Sequence, residues 1–252
     1  MSDAASVMVS VCMATYNGAE FIEHQLRSIL DELEPGDEVV IVDDASTDDT
    51  LRVIADVADS RIRVERNEHN IGYVGSFEAA MRRARGEVIL LSDQDDEWIP
   101  GRRGALAQAA LETGVAASNL VLLGSDAPLR SPITGRPWML RARTSGQNFR
   151  NELRILAGAA PYFGCAMAVR RDLVAAAVPF PSFLTESHDL WIATVANSAG
   201  RMRHVEAPTV RRRIHEANAS AASPRGLRRG LESRWMLLRA YREARRRRRL
   251  IR

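Results

Sequence analysis

The sequence predicts an α/β fold, a mostly parallel sheet flanked by helices, with a basic helix at the C-terminal end. Three observations carry that prediction. Apolar runs of strand length alternate with stretches of helical periodicity as far as Ser92, the pattern of a parallel sheet with helices on both faces. Two of the runs, Val39-Val40-Ile41-Val42 and Val88-Ile89-Leu90-Leu91, are apolar at every position, as strands covered on both sides are. Each then enters an acidic turn, Asp43-Asp44-Ala45-Ser46-Thr47-Asp48 after the first and Ser92-Asp93-Gln94-Asp95-Asp96-Glu97-Trp98 after the second. The carboxyl ends of strands are where open α/β sheets form their ligand crevice. No Gly-x-Gly-x-x-Gly occurs, which argues against dinucleotide binding, and no internal repeat is present.

The elements follow in order. Val7 to Ala14 reads as the first strand, ending in the turn Thr15-Tyr16-Asn17-Gly18. Ala19 to Leu33 is an amphipathic helix on the stripe Phe21, Ile22, Leu26, Ile29, Leu30 and Leu33. Pro35-Gly36-Asp37 turns the chain into the second strand. Ser46 or Thr47 caps a helix over Asp49 to Ala58, with Asp48 and Asp49 near its positive end. Ile62 to Glu65 is a short strand, and Val74 to Arg85 a helix stopped by Gly86. Beyond the acidic turn, Gly101 to Leu111 predicts a helix and Ala116 to Leu123 a strand. Gly124 to Asn148 shows no period, and a loop that long is functional or mobile. Pro161 to Ala168 is an apolar, Gly-containing stretch, Glu186 to Ser198 a helix, and Arg203 to Ala207 a strand. Leu227, Leu231, Trp235 and Leu238 share a face of a basic helix, followed by the run Arg245 to Arg249.

Composition bounds the chemistry. The 252 residues are 46% hydrophobic, enough for a sizeable core. All 35 basic residues are Arg, against 32 acidic residues and a net charge of +3, so no Lys is available for catalysis. Cys12 and Cys165 lie in apolar runs and read as buried free thiols of a cytoplasmic protein rather than metal ligands. No signal peptide is evident, and no uncharged stretch reaches the roughly 20 residues of a membrane span.

Carboxylates crowded at Asp93, Asp95 and Asp96 repel one another, and a divalent cation offsets that repulsion. Hard oxygen donors suit Mg²⁺ or Mn²⁺, which bridges to phosphates of a substrate. The plain alternative is an acidic helix cap.

Four segments in order, Val9 to Gly18, Val42 to Asp48, Asn70-Ile71-Gly72 and Leu91 to Trp98, resemble the inverting family-2 glycosyltransferases of the GT-A fold. The Ser-Asp-Gln-Asp-Asp form is most similar to a rhamnosyltransferase-like branch. The resemblance implies a nucleotide-sugar-binding half over 1–100 and an acceptor-binding and catalytic half of the same domain over 101–222; the basic amphipathic C-terminal helix takes up 223–252. It implies donor contacts from Thr15, Tyr16 (stacked on the base), Asn17, Asp43, Asp44 (accepting the imide hydrogen), Asn70, Gly72, Asp93 and Arg213. Asp43 could equally support its turn. Asp95 would hold Mg²⁺ or Mn²⁺, with Asp96 and His215 completing the shell.

Inversion by single displacement needs a base that deprotonates the acceptor hydroxyl. In Thr185-Glu186-Ser187-His188-Asp189-Leu190-Trp191 the resemblance gives Asp189 that role, with His188, Glu186 and also Trp98 on the acceptor side. Helix capping by Glu186 to Asp189, with Trp191 in the core, is the alternative. Thr209 to Ser220 resembles the family's late Tyr-Arg-x-His segment, except that Arg212 stands where Tyr is usual; a solvated basic loop is the other reading.

The implied reaction moves a sugar, dTDP-rhamnose being one donor, to a glycan or lipid-linked acceptor in cell-surface glycan assembly. A sugar-nucleotide nucleotidyltransferase is the second hypothesis, though no Gly-rich phosphate loop accompanies it, and a non-catalytic sugar-nucleotide-binding protein the third. The C-terminal helix either docks at the inner face of an anionic membrane or packs on the core with a solvated tail. Nucleic acid is not an expected partner, since no binding motif accompanies the basic run.

Overall fold

The computed structural model describes residues 7–214 and 227–251. The first part of the chain supplies β1 (Val9–Thr15), α1 (Ile22–Leu30), β2 (Glu38–Asp43), α2 (Thr50–Val57), β3 (Ile62–Arg66), α3 (Tyr73–Arg83) and β4 (Val88–Ser92). β1 pairs in parallel with β2 and β4, and β2 with β3. Successive residues of a strand face opposite sides. Cys12, Val40, Val42, Ile89 and Leu91 accordingly enter the core beneath α3, while Val11, Met13, Val39, Ile41, Val88 and Leu90 enter a second core beneath α1. The unbroken apolar runs Val39 to Val42 in β2 and Val88 to Leu91 in β4 are explained by this double coverage. Close sheet packing also fixes Gly86, where a Cβ would lie 2.5 Å from the Ser10 nitrogen on β1.

The remaining elements are β5 (Glu97–Trp98), α4 (Arg102–Thr113), β6 (Val115–Leu122), α5 (Asn148–Ala157), β7 (Met167–Arg170), α6 (Arg171–Ala177), α7 (His188–Ala199), β8 (Met202–Arg212) and α8 (Leu227–Arg247). The described strands form one eight-stranded sheet in the order β3-β2-β1-β4-β7-β6-β8-β5. β6 and β8 are parallel, whereas β7 runs antiparallel to both β4 and β6, and β5 antiparallel to β8. β5 joins the sheet at its far edge, and α8 shares the core of α7.

Several elements differ from the expected ones. α1 is shorter at both ends, because the Gly18 carbonyl takes the Phe21 and Ile22 N–H groups in a turn and Leu33 closes a turn on Leu30. α5 and α6 were not anticipated. β8 runs on through Pro208 to Arg212, with a register shift opposite Ser118 to Leu120 that accommodates the proline. The stretch from 124 to 147 has isolated bridges and a short 3₁₀ turn at Ala142–Thr144, and Asn119 pins it through both amide atoms to Leu140. α8 packs through Met236, Leu237, Ala240 and Ala244, leaving the anticipated stripe of Leu231, Trp235 and Leu238 exposed. No helix among the described residues is long and apolar enough to cross a membrane.

Candidate active site

Register places the first three strand tips side by side. Thr15 lies opposite Asp43 and Met13 opposite Ser92, so the turns after β1, β2 and β4 leave the sheet together. They open into a cleft of about 780 Å³, whose other walls include Asn70, Gly72, Tyr73, Phe163 to Cys165, Thr185 to Asp189 and Arg212.

The turn after β2 is built by Asp43, which is fully buried and accepts the Thr15 hydroxyl at 3.1 Å, the Ser46 N–H at 3.0 Å and the Ser46 hydroxyl at 2.5 Å. Its oxygens hold the turn together, and Asp43 is not among the residues that line the cleft, where a donor contact was expected of it. Asp44 does line it. One of its oxygens accepts the Asn67 amide at 2.8 Å and the Ile71 N–H at 2.9 Å, and the other accepts the Gly72 N–H at 2.8 Å. Gly72 sits at φ 84°, a left-handed conformation that suits glycine, and the Asn70 side chain also accepts its N–H. Asp44 thus fixes the Asn70-Ile71-Gly72 loop and keeps acceptor capacity toward the cleft. Asn17 accepts the Thr47 N–H at 2.8 Å, tying the turns after β1 and β2. Tyr16 leaves its ring 47% exposed at the rim while Gln94 clasps its backbone, accepting from its N–H at 3.0 Å and donating to its carbonyl at 3.1 Å. Sequence reasoning gave Gln94 no role.

The acidic turn after β4 holds the strongest electrostatic feature. Burial, then the neighbouring Asp96 and Asp95 charges, push the Asp93 carboxyl up to about 8; burial and Asp95 push Asp96 up to about 6. Asp96 accepts the Arg213 N–H through Oδ1, and its carboxylate also takes a hydrogen bond from the Cys165 thiol. Among the described residues, the donor atoms that converge within 4.8 Å of one another belong to Asp93, Asp96 and Cys165. Asp95 lines the cleft beside them. Hard carboxylate oxygens crowded enough to raise one another's pKa fit a divalent cation. Beneath them lies the buried Arg102, whose guanidinium donates to the carbonyls of Leu91 and Cys165 and to the Thr209 hydroxyl, joining β4, β8 and the turn at Gly164–Ala166. Burial lowers its pKa to about 10, and it still carries charge at neutral pH.

Trp98 is 3% exposed, donates its indole N–H to Ser92 and lies under Arg102. It packs in the core and is not among the residues that line the cleft, where an acceptor contact was expected of it. Arg213 is braced on the Asp95 carbonyl and over the Phe21 ring. Its neighbour Arg212 is the one that lines the cleft, over the Phe163 ring at 5.2 Å, and its charge lowers the pKa of both Asp93 and Asp189. His215 lies outside the described residues.

Across the cleft, α7 begins with His188 and Asp189. Burial pushes the Asp189 carboxyl up to about 6, although N–H groups of Leu190 and Gly164 and the Arg212 charge favour its ionised form. His188 stacks on Phe77 at 4.3 Å with Tyr73 at its edge; both ring nitrogens are buried without a hydrogen-bond partner, and burial pushes its pKa down to about 3. Gly164 makes room for it, since a Cβ there would lie 2.9 Å from Nε2. Glu186 faces the cleft and accepts a hydrogen bond from Ser233 on α8. The structure therefore gathers Thr15, Tyr16, Asn17, Asp44, Asn70, Gly72, Asp93, Asp95, Glu186, His188 and Asp189 around one cleft.

The chain can now be compared with known proteins. TuaG of Bacillus subtilis, named for teichuronic acid biosynthesis, is 38% identical over 93 residues, 36% of this chain and 37% of that protein. The Escherichia coli enzyme named UDP-Glc:alpha-D-GlcNAc-diphosphoundecaprenol beta-1,3-glucosyltransferase WfaP is 36% identical over 92 residues, again 36% and 37% of the two lengths. The aligned part thus spans little more than a third of these relatives. The crystal structure of S. aureus TarS (residues 1–349) in complex with UDP-GlcNAc has the same fold, with a TM-score of 0.65 at 22% identity over 86% of this chain and 62% of that one. The profile described as Glycosyl transferase family 2 matches residues 10–176, the span that carries all three strand tips and the Cys165 turn. With sheet, cleft and family profile in agreement, the chain belongs to glycosyl transferase family 2.

Proposed function

We propose that the protein transfers a sugar, with inversion, from a nucleoside-diphosphate sugar to an acceptor hydroxyl during assembly of a cell-surface glycan. One observation carries the reading: the acidic turn after β4 and the Asp189 carboxylate face each other across a single cleft of about 780 Å³. Tyr16 offers a ring for the base, and Asp44 a fixed acceptor for its imide hydrogen. Arg212 offers a guanidinium to the diphosphate through charge-assisted hydrogen bonds. Asp93, Asp95 and Asp96 would hold Mg²⁺ or Mn²⁺, which when bound stabilises the charge of the departing diphosphate. Asp189 would take the proton of the attacking hydroxyl, and His188, neutral and unpartnered, would orient the acceptor.

For the donor we put dTDP-rhamnose first, on the Ser92-Asp93-Gln94-Asp95-Asp96 form. The relatives' names point to UDP-sugars and to an undecaprenol-linked acceptor. A thermal-shift screen of UDP-, GDP- and dTDP-sugars with and without Mn²⁺ decides between them. Ligand bound at a hundred times its Kd stabilises by about 2.7 kcal/mol, a shift of several degrees. No metal-dependent shift with any of these donors would overturn the reading.

A lipid-linked acceptor calls for a membrane contact, and α8 supplies a surface for it. Leu231, Trp235 and Leu238 are 71%, 58% and 39% exposed, beside the exposed Arg234, Arg239, Arg242, Arg245 and Arg246. Apolar groups flanked by guanidinium groups match an anionic lipid surface at the inner face of the membrane.

A further inference from the structure

We propose that Gln94 is a positioning residue for the nucleotide base: its side-chain amide locks the backbone of Tyr16, and through it the Tyr16 ring, beside Asp44 in the cleft. The inference rests on the reading that Tyr16 and Asp44 receive a pyrimidine base. It goes beyond that reading by giving the acidic turn a second task, one that needs no cation.

The turn after β1 is held from two sides. From the β2 side, Ser46 accepts the Asn17 N–H at 2.9 Å, Thr50 the Gly18 N–H at 2.8 Å and Asp48 the Ala19 N–H at 3.1 Å. The Tyr16 peptide is held from the β4 side instead. Its N–H donates to Gln94 Oε1 at 3.0 Å, and its carbonyl accepts from Gln94 Nε2 at 3.1 Å. One planar amide thus uses its acceptor and a donor on the same residue, which fixes direction as well as distance. The ring itself is 47% exposed, so little packing directs it, and its aim follows from the backbone that Gln94 holds. The Thr15 carbonyl accepts the Asp44 N–H at 2.8 Å, so the acceptor for the base is tied to the residue just before the ring.

Gly18 supplies an independent observation. A Cβ there would lie 2.3 Å from Oε1 and 2.6 Å from Cδ of Gln94, and its three nearest atoms all belong to that side chain. Gly18 is not among the glycines at positive φ, so it serves here by leaving room and not by its dihedral freedom. The acidic turn that carries Gln94 is itself firmly seated. Buried Gln25 on α1 donates to the Ser92 hydroxyl at 2.7 Å and to the Asp93 carbonyl at 3.0 Å, and Asp96 accepts from the Arg213 N–H at 3.0 Å. Gln94 therefore reaches Tyr16 from a fixed base, across 78 positions of sequence.

The test is calorimetric titration of UDP, dTDP and pyrophosphate, each with Mn²⁺. The proteins are wild type, Gln94→Ala, Gly18→Ala, Tyr16→Ala and the double variant Tyr16→Ala/Gln94→Ala. Pyrophosphate offers the charge of the nucleotide without its base. Gln94→Ala should weaken the tighter-binding nucleotide about tenfold and leave pyrophosphate affinity unchanged. Gly18→Ala keeps the Gln94 side chain but displaces its amide, and should reproduce that split. In the Tyr16→Ala background, Gln94→Ala should cause no further loss, since the ring it positions is gone. Parallel losses of nucleotide and pyrophosphate affinity in Gln94→Ala would make Gln94 a structural part of the acidic turn and overturn the proposal. Unchanged nucleotide affinity in Gln94→Ala, or additive losses in the double variant, would also overturn it and leave Tyr16 standing as the base platform. Wild-type nucleotide affinity in Tyr16→Ala, or no nucleotide binding by the wild type, would overturn the underlying reading and the proposal together.

Discussion

Two neighbouring side chains at the start of α7 are driven in opposite directions by one environment. Burial raises the Asp189 carboxyl to about 6 and lowers the His188 imidazole to about 3. Asp189 is therefore protonated below pH 6 and ionised above it, while His188 stays neutral across the working range. If Asp189 is the base, the turnover rate should rise with pH through about 6 and then level, an acid limb that His188 cannot supply. Asp189→Asn should lower turnover by about 10²- to 10⁴-fold with donor affinity unchanged. Rate–pH profiles and calorimetric donor titrations read both, and an Asn variant that turns over normally would remove Asp189 from the role. Asp44, Asp93 and Asp189 were legible as cleft-lining residues because each belongs to a turn at the end of a strand or the start of a helix. Sequence does not say to which side of a two-residue strand the Trp98 ring turns; here it turns inward, onto Ser92 and Arg102. Cys165 and Arg212 were illegible as site residues because folding, not adjacency, brings them to the β4 tip from a distant turn and from the end of β8.

Among the elements, the seam between α5 and α7 carries an ionisable group outside the cleft. Glu152 is 4% exposed, and burial pushes its carboxyl up to about 8, against a smaller pull from the Thr194 hydroxyl. An unfolded Glu titrates near 4.3, so between there and about 8 the folded chain holds a proton that the unfolded chain has released. Stability contributed by this group is complete below the lower value and is lost as pH rises through the upper one. Glu152→Gln should remove that loss, leaving the variant more stable than wild type at pH 9, on the order of a few kcal/mol, with little difference at pH 5. Urea titrations at the two pH values measure it; equal losses in both proteins would place the pH dependence elsewhere. α5 itself escaped the sequence because it follows a long aperiodic stretch, and α6 because seven residues hold too little period to read. β8 was cut short at Pro208, which is tolerated where its register against β6 shifts.

Across the whole molecule, the sheet has a legible half and an illegible one. Strand–helix alternation makes β1 to β4 legible as parallel, since each parallel neighbour needs a crossover, while their order β3-β2-β1-β4 comes from the structure. The antiparallel β7, inserted between β4 and β6, and β5 at the far edge reflect long-range pairing that local pattern does not encode. The exposed stripe of α8 is a property of the assembled protein too, because packing on α7 decides which apolar residues remain outside. Double replacement of Leu231 and Trp235 by Ser should weaken binding to phosphatidylglycerol vesicles about tenfold or more, from the loss of two large apolar groups. Wild-type protein that ignores such vesicles at low salt would remove the membrane from the proposal.

The hydrogen bond from Ser233 to Glu186 and the seating of Met236, Leu237, Ala240 and Ala244 have a practical corollary. Arg247 adds to this by donating to the carbonyls of Ala176, Ala177 and Pro179, so trimming the arginine-rich end spares the packing only beyond it. A polypeptide stopped at residue 222 would uncover the outer side of α7 and strip away the brace on Glu186 at the wall of the cleft.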